Sequence, residues 1–345
     1  MTAAAAVRFG FLGAGYIAER ALGPAVHAAD GAVLQAVGAR DAARAAALEP
    51  AGRAHDTYQA VVDDPDVDVV YVALPNDDHL PWTLAALAAG KHVLCEKPLG
   101  LDPGEVQQML DAAAAAGRHV VEATWYRWHP RSLRSRELVR SGAVGDPVEL
   151  SAAWCFGGVA PGNYRLDPAR GGGAWYDIGC YGVSAAHLLL GDALRVQEAT
   201  VLRGPTGVDL ETRAVLTTPS GARARVLAGI DADEHQDLTL RGSSATLAWS
   251  VPQLGSWRIP SSLTLTPDGG GDPVVEEFAA VDAYQLMVEQ LVRVVRGDEA
   301  PEVTLQESLR VSATLRSVVE QAAVEQAVVE QAGVEQAAGR SADAT

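Results

Sequence analysis

The chain has 345 residues, 48% of them hydrophobic and 21% charged, a balance that excludes a largely disordered polypeptide. Its formal net charge of −17 argues against nucleic acid or an anionic membrane as partner, since both need a basic face. It leaves room for a phosphorylated ligand held by backbone amides or by one well-placed arginine, and a chain this long is expected to divide into two domains.

The cysteines Cys95, Cys155 and Cys180 are widely spaced and form no CxxC pair. Neither a disulfide framework nor a zinc site is indicated, so no metal is expected and a reducing cytoplasm fits. The short uncharged stretch before Val7 does not read as a signal peptide, and no apolar run reaches the roughly 18 residues of a membrane span. Of 27 basic residues only two are lysines, Lys91 and Lys97, which makes each of them conspicuous.

Residues 1–125 alternate short apolar runs with alanine-rich helical stretches. Strands are predicted at Val7–Leu12, Val33–Gly38, Val67–Leu74, His92–Cys95 and His119–Thr124. Helices are predicted at Ile17–Ala29, Ala42–Leu48, Pro81–Ala89 and Pro103–Ala116. Such alternation implies an α/β Rossmann domain, a doubly wound parallel sheet covered on both faces.

Residues 126–318 read as an α+β domain for substrate binding and oligomerisation. A helix at Ser132–Ser141 precedes strands at Pro147–Phe156, Val196–Gly204, Thr212–Thr217, Arg223–Ile230, Asp237–Arg241 and Ala245–Trp249. Helices at Tyr176–Leu190 and from Tyr284 accompany this mostly antiparallel open sheet, which shows no obvious covering helices and is expected to bury a face in a homodimer or homotetramer. In residues 319–345 the unit Val-Glu-Gln-Ala recurs at Val319, Val324, Val329 and Val334. A five-residue period spreads valines around a helix instead of along one stripe, so a frayed helix or a disordered tail is expected.

The first strand runs into Gly13-Ala14-Gly15-Tyr16-Ile17-Ala18, a GxGxxA turn that opens a helix. Gly13 permits the tight turn, Gly15 lets the backbone approach a pyrophosphate, and Ala18 allows close helix–strand packing. At the end of the second strand stand Ala39, Arg40 and Asp41. Arg40 suits the 2′-phosphate of NADP, whereas the adjacent Asp41 keeps NAD open.

Three further segments belong with this loop. They are Leu74-Pro-Asn76-Asp-Asp-His79, Glu96-Lys97-Pro98-Leu99, and Gly171-Gly-Gly-Ala-Trp-Tyr-Asp177-Ile-Gly-Cys-Tyr181. Together with Tyr164-Arg165 and the AYQLMVEQ segment from Ala283, in this order and spacing, they make the chain resemble the Gfo/Idh/MocA oxidoreductases from Val7 to about Ser317. The resemblance implies that Lys97 and Tyr181 flank the reacting carbon and that Lys97–Pro98 is cis. It also places Gly13, Ala14, Gly15, Tyr16, Ile17, Ala39, Arg40, Leu74, Asn76, His79, Glu96 and Arg165 around the cofactor. Tyr181, where many relatives carry histidine, resembles the branch of glucose–fructose oxidoreductase, dihydrodiol dehydrogenase and sugar-nucleotide ketoreductases. Tyr164 stands where several relatives have tryptophan.

The chemistry is consistent with that likeness. Hydride transfer at a carbon bearing oxygen needs a proton delivered to, or taken from, that oxygen. Tyr181 is the candidate, with the Lys97 ammonium expected to lower its pKa and to bond the substrate oxygen, and Asp177, four residues earlier on the same helix face, expected to orient the site. Structural readings stand beside these: Lys97 as a surface cation, Tyr181 as a core aromatic, Asp177 as a cap, His79 as a packed ring.

The expected activity is hydride transfer between nicotinamide C4 and a hydroxyl or keto carbon of a sugar or sugar derivative, leaning to an NADPH-dependent sugar-nucleotide ketoreductase. An aldose 1-dehydrogenase or dihydrodiol-type dehydrogenase is the alternative. A non-catalytic cofactor-binding regulator, or a glycosidase using NAD transiently, represents another class.

Overall fold

Short, nearly continuous apolar runs form the buried strands of the first sheet: β1 (Val7–Leu12), β2 (Ala32–Gly38), β3 (Arg53–His55), β4 (Val69–Val72), β5 (His92–Cys95) and β6 (Val120–Glu122). All neighbours are parallel in the order β3-β2-β1-β4-β5-β6. The order reverses between β1 and β4, and ligands of such sheets bind beyond the strand ends at that switch point. The computed structural model describes residues 5–191, 193–251 and 258–342, with side chains described as far as 325.

The helices of this domain are α1 (Gly23–Ala28), α2 (Ala42–Ala46), α3 (Tyr58–Val62), α4 (His79–Ala88) and α5 (Pro103–Ala116). A π-turn at Ala18–Leu22 leads into α1 where the pattern predicts one regular helix. Two elements carried no sequence signal. β3 is a three-residue polar edge strand, and α3 is a five-residue helix capped by the Thr57 hydroxyl. With them, the third predicted strand becomes the fourth.

After a turn at Trp125–Trp128 come α6 (Pro130–Arg140), β7 (Pro147–Cys155), α7 (Cys180–Leu190), β8 (Arg195–Arg203), β9 (Asp209–Thr217), β10 (Arg223–Gly229), β11 (His235–Gly242) and β12 (Ala245–Trp249). Two strands absent from the expected set, β13 (Ser261–Pro267) and β14 (Val274–Phe278), complete an eight-stranded sheet in the order β14-β13-β12-β11-β7-β10-β9-β8. Only β7 and β10 pair in parallel. Both extra strands alternate weakly, and Val274 and Val275 are exposed, so the period-2 signal is faint there.

The chain does supply a covering layer for this sheet, contrary to expectation. Leu150, Ala152 and Trp154 of β7 and Ala224, Val226 and Ala228 of β10 face α7 and are buried. The opposite face mixes Glu149, Arg213, Arg225 and Arg241 with Val215 and Leu227.

The last two helices, α8 (Ala283–Arg296) and α9 (Leu305–Ala342), return to the first domain. Tyr284 stacks on Trp125 with ring centroids 5.0 Å apart, and Leu305 and Leu309 pack on the core under β4 and β5. Thr304 and Glu307 form a reciprocal cap at the start of α9. The backbone is helical through Ala342. Val311, Leu315, Val318 and Ala322 form one buried stripe that carries the helix past Val319, and the repeat is rich in the good helix formers Ala, Glu and Gln.

Candidate active site

A cleft of about 1500 Å³ lies between the two domains, lined by the glycine loop, the ends of β2, β4 and β5, and the segment before α7. At its floor Gly13 has φ +100° and a side chain there would strike the Ala73 carbonyl, so only glycine fits. A Cβ at Gly15 would meet nothing, which leaves the backbone open to a phosphate. Ala14, Tyr16 and Ile17 line the same wall, Tyr16 with 73% of its surface exposed. The loop therefore fits a dinucleotide.

Ala39 and Arg40 line the cleft at the end of β2. Asp41 lines it as well. Asp41 caps α2, its carboxylate accepting the Ala43 N–H at 2.9 Å, while Arg40 remains exposed beside the cleft. Arg44, missed in the sequence, donates to the Ala14 carbonyl at 2.5 Å and lines the cleft as well. Its spacing of one helical turn from Arg40 was the available signal.

Leu74, Asn76 and Glu96 border the cleft. Buried Asn76 donates its side-chain amide to the Gly171 carbonyl at 2.8 Å, latching one domain to the other. Glu96 accepts the Tyr71 hydroxyl at 2.6 Å, and burial pushes its pKa up. His79 is corrected. It is fully buried, with Nδ1 2.8 Å from the Pro98 carbonyl and Nε2 3.0 Å from the Leu74 carbonyl. Both ring nitrogens are engaged by backbone, so His79 braces two loops and does not reach the cleft.

Lys97, Asp177 and Tyr181 come together at the inner end. Lys97 Nζ donates to the Asp177 carbonyl oxygen at 2.5 Å and to Oδ1 at 3.2 Å, and lies 5.0 Å from the centre of the Tyr181 ring. Lys97–Pro98 is cis. Arg165, expected at the cofactor, donates from Nε to Asp177 Oδ2 at 2.6 Å, and so sits beside Lys97. A single carboxylate thus takes two cations. Burial works against its charge, but Lys97 and Arg165 hold it below the usual aspartate range. Burial likewise opposes the Lys97 charge, and Asp177 more than compensates, keeping the ammonium well above its ordinary value.

Tyr181 departs from expectation. Burial dominates and raises its phenol above the ordinary value of 10.0, with Lys97 offsetting only part of this. The ammonium sits over the ring face and the Trp125 indole is hydrogen-bonded to the phenol, so Tyr181 is a neutral acid at physiological pH. An ammonium has three N–H bonds. Two of those on Lys97 go to Asp177, and the third can be given to another acceptor. The site can therefore hold a proton at the Tyr181 oxygen and offer a charged donor from Lys97, beside a loop that binds a dinucleotide.

Arg170 was also missed. It bonds Asp77 at 2.9 Å and Asp78 at 2.7 Å across the cleft mouth, partners too distant in sequence to be read from spacing. Among the described residues no cluster of three His, Cys, Asp or Glu side chains offers a metal site, and no helix is long and apolar enough to cross a membrane. The three cysteines are free and buried.

Fold and site define a two-domain oxidoreductase that uses a nicotinamide dinucleotide. The chain belongs to the Gfo/Idh/MocA family: the pattern described as "Oxidoreductase family, NAD-binding Rossmann fold" matches residues 7–124, and the "GFO/IDH/MocA C-terminal domain" matches residues 132–248. It is 36% identical over 323 residues to D-xylose 1-dehydrogenase (NADP(+)) 2 of Haloferax volcanii, covering 91% of this chain and 97% of that enzyme. It is 38% identical over 256 residues to the dTDP-3,4-didehydro-2,6-dideoxy-alpha-D-glucose 3-reductase of Streptomyces violaceoruber, covering 72% and 75%. The structure of KijD10, a 3-ketoreductase from Actinomadura kijaniata in complex with NADP and TDP-benzene, superimposes with a TM-score of 0.86 at 27% identity, covering 92% of this chain and 98% of that one.

Proposed function

We propose that this chain is an NADP-dependent oxidoreductase acting on a hydroxyl or keto carbon of a sugar, and specifically a sugar-nucleotide ketoreductase. The observation that carries the reading is the meeting of Lys97, Asp177 and Tyr181 at the end of a cleft whose other end presents Arg40 and a dinucleotide loop. The bound nicotinamide supplies the hydride. Tyr181 gives its proton to the oxygen of the carbonyl being reduced, Lys97 bonds the same oxygen and stabilises its developing charge, and Asp177 with Arg165 holds Lys97 in place.

NADP is favoured over NAD because Arg40 and Arg44 put two cations on the cleft at the end of β2, and the one acidic group beside them, Asp41, spends a carboxylate oxygen on capping α2. Substrate size is supported by volume. At about 1500 Å³ the cleft exceeds what one small ligand needs, and its lining extends to Phe156, Pro161, Leu166 and Thr206. KijD10 structures have been solved with a lysine and with a tyrosine substituted, and those positions are as far apart in its chain as Lys97 and Tyr181 are here. The likeness to a D-xylose 1-dehydrogenase over nearly the whole chain supports a second reading, oxidation of a free aldose at C1. We also propose that the mixed outer face of the eight-stranded sheet pairs two copies of the chain, which light scattering on the purified protein would test.

The test of substrate is a matched pair of assays. NADPH oxidation with 3-keto-deoxysugar nucleotides is expected to outpace NADP⁺ reduction with D-xylose or D-glucose by kcat/KM, and the reverse order would establish the aldose reading. Lys97→Met is expected to abolish turnover while NADPH fluorescence titration still reports binding. An active Lys97→Met enzyme would remove the mechanism.

A further inference from the structure

The neighbours of Lys97 in the chain are each held by a buried side chain. Tyr71 bonds Glu96, His79 meets the Pro98 carbonyl, and Glu122 at the end of β6 accepts the Leu99 N–H on Oε1 at 3.0 Å. The first two contacts stay within the Rossmann domain. The third leads out of it. The other oxygen of Glu122, Oε2, accepts the Ser308 hydroxyl at 2.6 Å, and Ser308 lies in the first turn of α9, 186 residues later in the chain. One turn further along, the Ser312 hydroxyl lies 3.5 Å from the Gly100 carbonyl.

Glu122 and Ser308 are both buried, so water does not replace either partner. A dry carboxylate keeps its place only where each oxygen has a donor. Burial raises the pKa of Glu122, and the Ser308 and Leu99 donors oppose that rise. Without Ser308 one oxygen is left unsatisfied, and the side chain relieves this by turning or by taking up a proton. Either change weakens its hold on Leu99, two residues from the lysine that must meet Asp177 across the domain junction.

We propose that Glu122 is a positioning residue for Lys97, and that Ser308 keeps Glu122 aimed, so that the docking of α9 onto the Rossmann domain fixes where the catalytic ammonium sits. The proposal rests on the reading of Lys97 as catalytic, and its test separates the two. Lys91 is the only other lysine in the chain. Protein labelled with ¹³C-lysine therefore gives two side-chain signals, and the one missing from Lys97→Met belongs to Lys97.

Ser308→Ala is expected to shift the Lys97 signal and leave that of Lys91 in place. It is also expected to lower kcat by about 10-fold, the scale of a sub-ångström misplacement, with NADPH affinity unchanged. Ser308→Thr, which keeps the hydroxyl, should restore both readings. Glu122→Ala should exceed Ser308→Ala, and if it fails to fold, Ser308→Ala decides alone. An unmoved Lys97 signal in folded Ser308→Ala protein overturns the proposal, as does a loss of kcat matched by loss of NADPH affinity. Failure of the underlying reading shows separately, as turnover by Lys97→Met.

Discussion

Lys97 and Asp177 form an ion pair across the domain junction, Nζ 3.2 Å from Oδ1, although 80 residues separate them in the chain. Asp177 in turn holds Arg165 at 2.6 Å, so one buried carboxylate organises both cations. In the proposed mechanism, whatever positions this pair also positions the chemistry.

Asp177→Asn removes the largest of the interactions that oppose burial at Lys97, so the lysine's pKa falls. Because the folded-state pKa of Asp177 lies below its unfolded value of about 3.9, its stabilising contribution is complete at neutral pH and is lost as pH falls through the folded value. Thermal melts should show Asp177→Asn less stable than wild type at pH 7, with the gap closing below about pH 4. A gap that widens in acid would contradict the assignment.

Tyr181→Phe removes the proton donor while keeping the ring that packs against Tyr126 and lies beside Lys97. Carbonyl reduction is expected to slow by about 10²- to 10⁴-fold, the usual range for a general acid. Since burial raises the phenol's pKa, the wild-type rate of reduction should show no loss of this acid between about pH 7 and pH 9. A descending limb in that interval that vanishes in Tyr181→Phe would count against a neutral phenol.

Arg40→Ala should weaken NADPH binding by about 10- to 100-fold, the worth of a charge-assisted hydrogen bond, and leave NADH binding nearly unchanged. Asp41→Ala should do neither. It should lower Tm by about 2 °C through loss of the α2 cap. Fluorescence titrations of both cofactors against both variants decide this, and equal losses for NADPH and NADH in Arg40→Ala would remove the 2′-phosphate assignment.

Gly173 has φ +116°, and a Cβ there would strike the carboxylate of Asp209, which holds the Trp175 N–H at 2.7 Å. Gly173→Ala is therefore expected to destabilise the protein by about 2 kcal/mol or more and to displace Asp177, four residues on. Denaturant unfolding together with kcat would show both effects, and an alanine variant with wild-type stability would show that the loop yields freely.

The sequence by itself determined the elements with strong periodicity and the local chemistry of each motif. The apolar runs of β1, β2 and β5, the glycine pattern at Gly13 and Gly15, and the spacing of Asp177 and Tyr181 all depend on neighbours within a few residues. Weak signals failed for the same reason: β3, α3, β13 and β14 are short or polar, and their partners are remote.

Tertiary structure decided which of these groups meet and what state they adopt. It turned His79 inward onto two carbonyls, gave Arg165 to Asp177, committed Asp41 to a cap, and extended the last helix along a buried stripe beyond Val319. It also decided how deeply Tyr181 is buried. The identity of a nearby lysine predicts a lowered pKa, but the depth of burial is a property of the packed core, and here desolvation outweighs the ammonium.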